Sequence, residues 1–183
     1  MRFAFLICQT IMSRLFYALW PSSEIRAQLA AQRESVVRDY AGRPMRADTL
    51  HMTLLFLGDL PELHVPTLLG CGDRVRTPAF TLNIDGRCHF PNPKVAWLGC
   101  TDPPVALNDL WMALRKEVDP VFPDHPHRDY RPHISVARDC LHFPQPCAIP
   151  TVQWHVEDFV LIDSTLTPGG PVYRVLRHWQ LNN

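Results

Sequence analysis

The chain has 183 residues, 46% hydrophobic and 20% charged, with 18 basic and 18 acidic side chains. That composition excludes a disordered or fibrous chain and allows one domain with a real core, or two small lobes sharing one. Zero net charge argues against a broad basic surface gripping a long nucleic acid, and for reading one end or one nucleotide through a local cluster of cations.

The opening stretch MRFAFLICQTI is apolar behind Arg2. It is too short to span a membrane and no small-x-small cleavage site follows. Residues 1–12 therefore read as an extension, with Met12 an alternative start, and residues 13–183 as the domain. SRLFYALWP reads as a strand ended by Pro21. Ser22 caps a helix to about Ala41, with Ile25, Leu29, Val36, Val37 and Tyr40 at helical spacing and Gly42 and Pro44 as its stop. A run of β-formers extends from about Leu50 to Leu57. Residues 61–71 suggest a short helix, weakened by Pro66. Residues 78–85 and 95–100 read as strands joined by the turn-rich RCHFPNPK. Asp102-Pro103 opens a second helix with Leu107, Leu110, Trp111, Leu114 and Val118 in one stripe. The loop DPVFPDHPHRDYRP leads to the strand HISVAR. The loop FPQPCAIP leads to one long strand, VQWHVEDFVLIDS, and VYRVLRHWQL closes the chain.

This order predicts an α+β fold with largely antiparallel pairing, written as one unit twice, each with a helix before a histidine strand. The 18 prolines sit mainly between elements and suit rigid loops around a cleft. The six cysteines form no C-x-x-C pair and read as free thiols in a reducing, cytoplasmic setting.

The strongest internal signal is the pair His51-Met52-Thr53-Leu54 and His133-Ile134-Ser135-Val136. Side chains alternate along a strand, so each segment offers an imidazole and a hydroxyl on one face, backed by an apolar face. A lone H-x-T-x is usually structural; two copies on matching strands are informative. Facing each other, they make a cleft suited to phosphodiester chemistry. One neutral imidazole takes a proton from water, one imidazolium gives a proton to the leaving oxygen, and the hydroxyls bind the non-bridging oxygens. No metal or other cofactor is needed.

The matching segments SRLFYALWP, LHMTLLFLGDL, GRCHFPNPKVAWLG, LNDLWMALRKEV, YRPHISVAR and FVLIDSTLTPGGPVYRVLRHWQL run in order through nearly the whole chain. In sequence, spacing and order they resemble the LigT-like branch of the two-histidine phosphoesterases, the RNA 2′,3′-cyclic phosphodiesterases also called 2′-5′ RNA ligases. The resemblance implies two pseudo-symmetric lobes, each an antiparallel sheet with helices on the outside, and an active-site cleft between them. It implies catalysis by His51 and His133 and phosphate binding by Thr53, Ser135 and Arg138. The implied reaction opens a 2′,3′-cyclic phosphate to a 2′-phosphate, with His133 as base and His51 as acid. Two departures stand out. Ser135 replaces the usual threonine, which keeps the hydroxyl. Arg138 lies three residues after Ser135, so simple alternation aims it at the opposite face, and only a bulge or the strand end turns it inward.

Further candidates for substrate binding are Arg46 before the first histidine strand, Phe90 as a base-stacking aromatic, and Tyr130 and Arg131 in the loop before the second. Arg43 and Arg128 are weaker members of the same group. Trp97 is expected in the core and Tyr173 to pack. Asp124, His125, His127 and His133 invite a metal reading, but their segment holds two prolines and reads as a loop, so no metal is assigned. The expected partner is an RNA 3′ end or short oligonucleotide carrying the cyclic phosphate, met by a monomer away from any membrane. The alternatives are 2′-5′ joining as the main reaction, or a nucleotide- or RNA-binding module with little turnover. The intact histidines and hydroxyls argue against the binding module.

Overall fold

The computed structural model describes residues 11–126 and 129–182. In chain order the elements are β1 (Met12–Leu19), α1 (Ser23–Tyr40), β2 (Arg43–Pro44), β3 (Met52–Pro61), α2 (Val65–Arg74) and β4 (Phe80–Phe90). They continue as β5 (Val95–Gly99), α3 (Val105–Val118), β6 (Ile134–Arg138), β7 (Cys147–Val156), β8 (Asp158–Thr167) and β9 (Gly170–Gln180). Two antiparallel sheets result, ordered β3-β1-β8-β9 and β2-β6-β5-β4-β7. The α+β architecture expected from the pattern is present. Most of the extension lies outside the described residues, but Met12 opens β1, paired with Pro61.

Alternation along β1 separates two environments. Leu15, Tyr17 and Leu19 enter the main core, while Phe16 and Ala18 join a smaller cluster with Val160 and Ile162 on the opposite face. The main core lies between sheets and helices, and the smaller cluster floors the cleft described below. The long helices cross over. α1 follows a strand of the first sheet yet packs on β5, β6 and β7 of the second. α3 follows a strand of the second sheet and packs on β3 of the first, beside α2. Each half therefore supplies the helix that covers the other.

Ser22 caps α1, its hydroxyl accepting the Ile25 N–H at 3.3 Å. At the far end Ala41, not Gly42, takes the left-handed conformation, with φ 47°. Gly42 answers a different need: a Cβ there would lie 2.8 Å from Cys140 Sγ and 3.0 Å from Ala137 Cβ, so α1 can close on β6 only without one. α2 forms despite Pro66, because proline falls in its first turn, where no N–H partner is lost. α3 starts at Val105 rather than Asp102. Two successive prolines hold the preceding backbone extended, Pro104 itself at ψ 144°.

Three sequence expectations change. VQWHVEDFVLIDS is two strands broken at Glu157: β7 pairs β4 in one sheet and β8 pairs β1 in the other. Continuous apolar alternation does not reveal that a chain changes sheets. Cys147–Pro150, expected in a loop, begins β7, an edge strand whose pairing with β4 is irregular around Pro150, where a missing N–H is tolerated. β4 runs on through Arg87–Phe90, leaving the turn at Pro91–Lys94.

Gly72 on α2 also marks a close approach. A Cβ there would meet the Trp179 ring at 2.4 Å. That ring is pinned, stacked on Phe159 at 5.1 Å and donating its N–H to Asp73 at 2.7 Å. Gly72→Ala gains about 1 kcal/mol of helix propensity but overpacks at a typical cost of about 1–3 kcal/mol or more. A lowered urea midpoint is expected, and an unchanged one would show that Trp179 swings clear.

Candidate active site

A cleft of about 770 Å³ opens between the two sheets. The first sheet contributes Phe16, Thr53, Phe56, Ser164 and Tyr173, and the second Phe90, Ser135 and Arg138. His51 and His133 line it from the residue immediately before β3 and β6 respectively.

The two imidazoles are held by the same device. Nδ1 of His51 lies 2.7 Å from the carbonyl of Thr49, and Nδ1 of His133 lies 2.7 Å from the carbonyl of Arg131. A carbonyl only accepts, so each Nδ1 carries a proton, and in the neutral ring Nε2 is left as the basic atom. Each carbonyl belongs to the residue two positions earlier, outside the strand. His51 Nε2 meets the Thr53 hydroxyl at 3.1 Å, the hydroxyl donating while the ring is neutral.

Aromatic rings enclose both histidines. Phe16, Tyr173 and Trp20 surround His51 with ring centres at 5.0, 5.3 and 5.9 Å. Phe90 and Trp97 flank His133 at 5.0 and 6.1 Å. This apolar wall removes water from the rings and disfavours the imidazolium. Burial pushes His51 down to about 4, helped by the charges of His133 and Arg138 and opposed by the Thr49 carbonyl. Burial also lowers His133, opposed by the Arg131 carbonyl. Both rings are therefore mainly neutral at pH 7.

Arg138 reaches the cleft through a bulge. β5 and β6 pair Trp97 with Ser135 and Ala96 with Ala137, so Val136 has no partner. Val136 and Ala137 are both buried, and the next residue returns to the cleft face. β3 does the same against β1: Ala18 pairs Thr53, Tyr17 pairs Leu55, and Leu54 is extra. Leu54 and Leu55 are both buried, and Phe56 lines the cleft. The pseudo-symmetry of the two histidine strands thus extends to the same irregularity at the same position.

The structure brings His51, His133, Thr53, Ser135, Arg138, Phe90, Tyr130 and Arg131 to this cleft. Arg46 stays outside it, its guanidinium held by Asp48 on an exposed turn, because a carboxylate two residues away captures it first. Arg43 pairs with Asp139 at 3.1 Å. Trp97 is half-buried beside Phe90 and His133 rather than a core residue, and Tyr173 packs on the smaller cluster with its ring nearly perpendicular to that of His51. His125 is buried, with Nε2 2.7 Å from the Asp119 carboxylate at the end of α3. His127 and Arg128 lie outside the described residues. Among the described residues, no group of three or more His, Cys, Asp or Glu is arranged to hold a metal ion. Sequence reasoning missed Arg14, Phe16, Phe56 and Ser164 of the lining and the carbonyl of Thr49. Alternation in SRLFYAL would have found Arg14 and Phe16, both on the face opposite Leu15 and Tyr17.

Two antiparallel lobes with a histidine strand from each in one cleft define a two-histidine class of fold. Residues 19–97 match the LigT-like phosphoesterase family. The chain is 34% identical over 172 residues to the RNA 2′,3′-cyclic phosphodiesterase of Escherichia coli, covering 92% of this chain and 96% of that one. It is 36% identical over 181 residues to the Thermus thermophilus protein of the same name, covering 92% and 90%. The crystal structure of E. coli LigT complexed with 3′-AMP superposes with a TM-score of 0.84 at 32% identity, covering 94% of this chain and all of that one. The chain belongs to the LigT-like phosphoesterase family.

Proposed function

We propose that this protein hydrolyses 2′,3′-cyclic phosphate ends of RNA to 2′-phosphates, without a metal ion. Its relatives in E. coli and T. thermophilus are named for RNA 2′,3′-cyclic phosphodiesterase activity, and the E. coli structure holds 3′-AMP. The observation that carries the reading is the matched pair of imidazoles, each with Nδ1 fixed on a backbone carbonyl, which makes Nε2 the proton-exchanging atom of both rings.

The cyclic phosphate sits between the two Nε2 atoms. Thr53, Ser135 and Arg138 donate hydrogen bonds to its non-bridging oxygens, where charge grows in the transition state. Water attacks phosphorus and passes a proton to Nε2 of His133. The P–O3′ bond breaks, and Nε2–H of His51 protonates the departing 3′ oxygen. A 2′-phosphate remains, and a proton exchange between the histidines and solvent resets the pair. An imidazolium of depressed pKa is a strong donor once the bound phosphate's charge has stabilised it.

The working free enzyme has one imidazole protonated and one neutral. With His51 near 4 and His133 below its usual value, that state is abundant only on the acid side of neutrality. Above both values the protonated partner is lost, so kcat/KM is expected to fall roughly ten-fold per pH unit. The kcat limb lies at higher pH, because bound phosphate raises the imidazolium pKa. The test is hydrolysis of an oligoribonucleotide ending in a 2′,3′-cyclic phosphate, with chelator present, across pH 5–9. Release of a 2′-phosphate with the acid-side optimum supports the reading. Dependence on metal, or kcat/KM still level at pH 8, would overturn the mechanism.

A further inference from the structure

The matching bulges allow the two lobes to be compared position by position. Arg138 on β6 corresponds to Phe56 on β3, each three residues after its strand's hydroxyl. A phenyl ring cannot hold a phosphate, but it carries a guanidinium: Cζ of Arg14, on β1, lies 4.9 Å from the Phe56 ring centre. Arg14 pairs across the sheet with Asp59, its Nη1 3.5 Å from a carboxylate 62% exposed. Such a surface pair is weak and readily exchanged for another anion.

This cation is set off from the reacting centre by an aromatic ring, so it is not a second clamp on the same phosphate. Arg14 and Ser164 line the catalytic cleft and also a groove of about 390 Å³ that continues outward past Ser13, Thr165 and Arg174. Asp59, Glu62 and Asp163 line the same groove, Asp59 paired with Arg14 and Asp163 held by Arg174 at 2.9 Å. Three carboxylates against two guanidiniums do not suit a long polyanion. Of the two guanidiniums, only Arg14 also lines the cleft, beside Ser164. Tyr173 lines the cleft with both arginines; burial raises its phenol, and the charges of Arg138 and Arg14 oppose that.

The geometry points to Arg14 as the residue that binds the phosphate on the 5′ side of the terminal nucleotide, giving the enzyme a preference for oligonucleotide ends over free cyclic mononucleotides. This assignment rests on the activity proposed above. With the cyclic phosphate between the histidines, the 5′ phosphate is the next anion along the chain, one ribose away. Arg14 lines the same cleft with its guanidinium over the Phe56 ring, and the acidic groove beside it limits recognition to that one phosphate.

The test compares kcat/KM for adenosine 2′,3′-cyclic phosphate, its 5′-phosphorylated form, and the dinucleotide ApA ending in the cyclic phosphate. In wild type, either 5′-phosphate substrate is expected to exceed the bare mononucleotide. Arg14→Gln lowers that ratio about ten-fold, as loss of a charge-assisted hydrogen bond implies. It also removes about 0.7 from the slope of log kcat/KM against log salt for the dinucleotide. Asp59→Asn frees Arg14 from its competitor and raises the ratio. A merely structural Arg14–Asp59 pair would make both variants lower it, which overturns the assignment, as does a ratio unmoved by Arg14→Gln. A loss confined to the dinucleotide overturns it too, since that reports the upstream nucleoside and not the phosphate. A wild type that opens none of the three overturns the activity itself, whereas failure of the ratio with turnover intact overturns only the role of Arg14.

Discussion

His51→Ala and His133→Ala are each expected to lower turnover of a cyclic-phosphate RNA end by at least about 100-fold, with the protein still folded. In the proposed mechanism each variant loses one of two proton transfers and keeps the hydroxyls and guanidinium assigned to the phosphate, which sets the size. The locked Nδ1 protons make the prediction sharper than a pair of nearby histidines would. Each ring has only Nε2 to offer, and no other imidazole lines the cleft among the described residues. The two variants also separate the roles. An aryl phosphodiester expels nitrophenolate, which needs no proton, so the variant lacking the acid recovers on it and the variant lacking the base does not. With His51 as acid, His51→Ala is the one that recovers. Recovery of His133→Ala instead would exchange the roles, and a near-normal rate in either variant on the RNA substrate would make that histidine structural. Circular dichroism and a urea midpoint check the fold, because His51 is packed among three aromatic rings.

Arg138→Ala is expected to cost about 100- to 1,000-fold in kcat, the range found for a lost donor to a charge-bearing oxygen in a closed site. Arg138→Lys recovers only part of this, since an ammonium restores the charge but not the two-pronged geometry on a phosphate. A loss of less than about five-fold for Arg138→Ala would make this arginine a rim cation, leaving Thr53 and Ser135 as the phosphate donors. The outcome bears on the bulge at Val136, which turns the arginine to the cleft face.

The same bulge shows where sequence reasoning stopped. Repetition of imidazole–apolar–hydroxyl–apolar located both histidine strands and the residues lining one cleft, because strand alternation is local and strict. Helical spacing and caps located α1 and α3 to within a few residues for the same reason. Alternation then mis-aimed Arg138, since an extra residue in one strand is visible only against its partner's register. Phe56 and its guanidinium were missed on the same ground. Arg46 looked as available as Arg138 until Asp48 was seen to hold it.

By itself, then, the sequence determined the α+β class, the duplicated unit, the two histidine strands and the family. Local periodicity and motif order carry that information. Tertiary structure decided that β7 and β8 part to different sheets and that each long helix covers the other half. It also decided which arginines face the cleft, and which backbone carbonyls fix the imidazole tautomers. Each of these depends on register or on contact between segments far apart in the chain, where no short-range pattern constrains the answer.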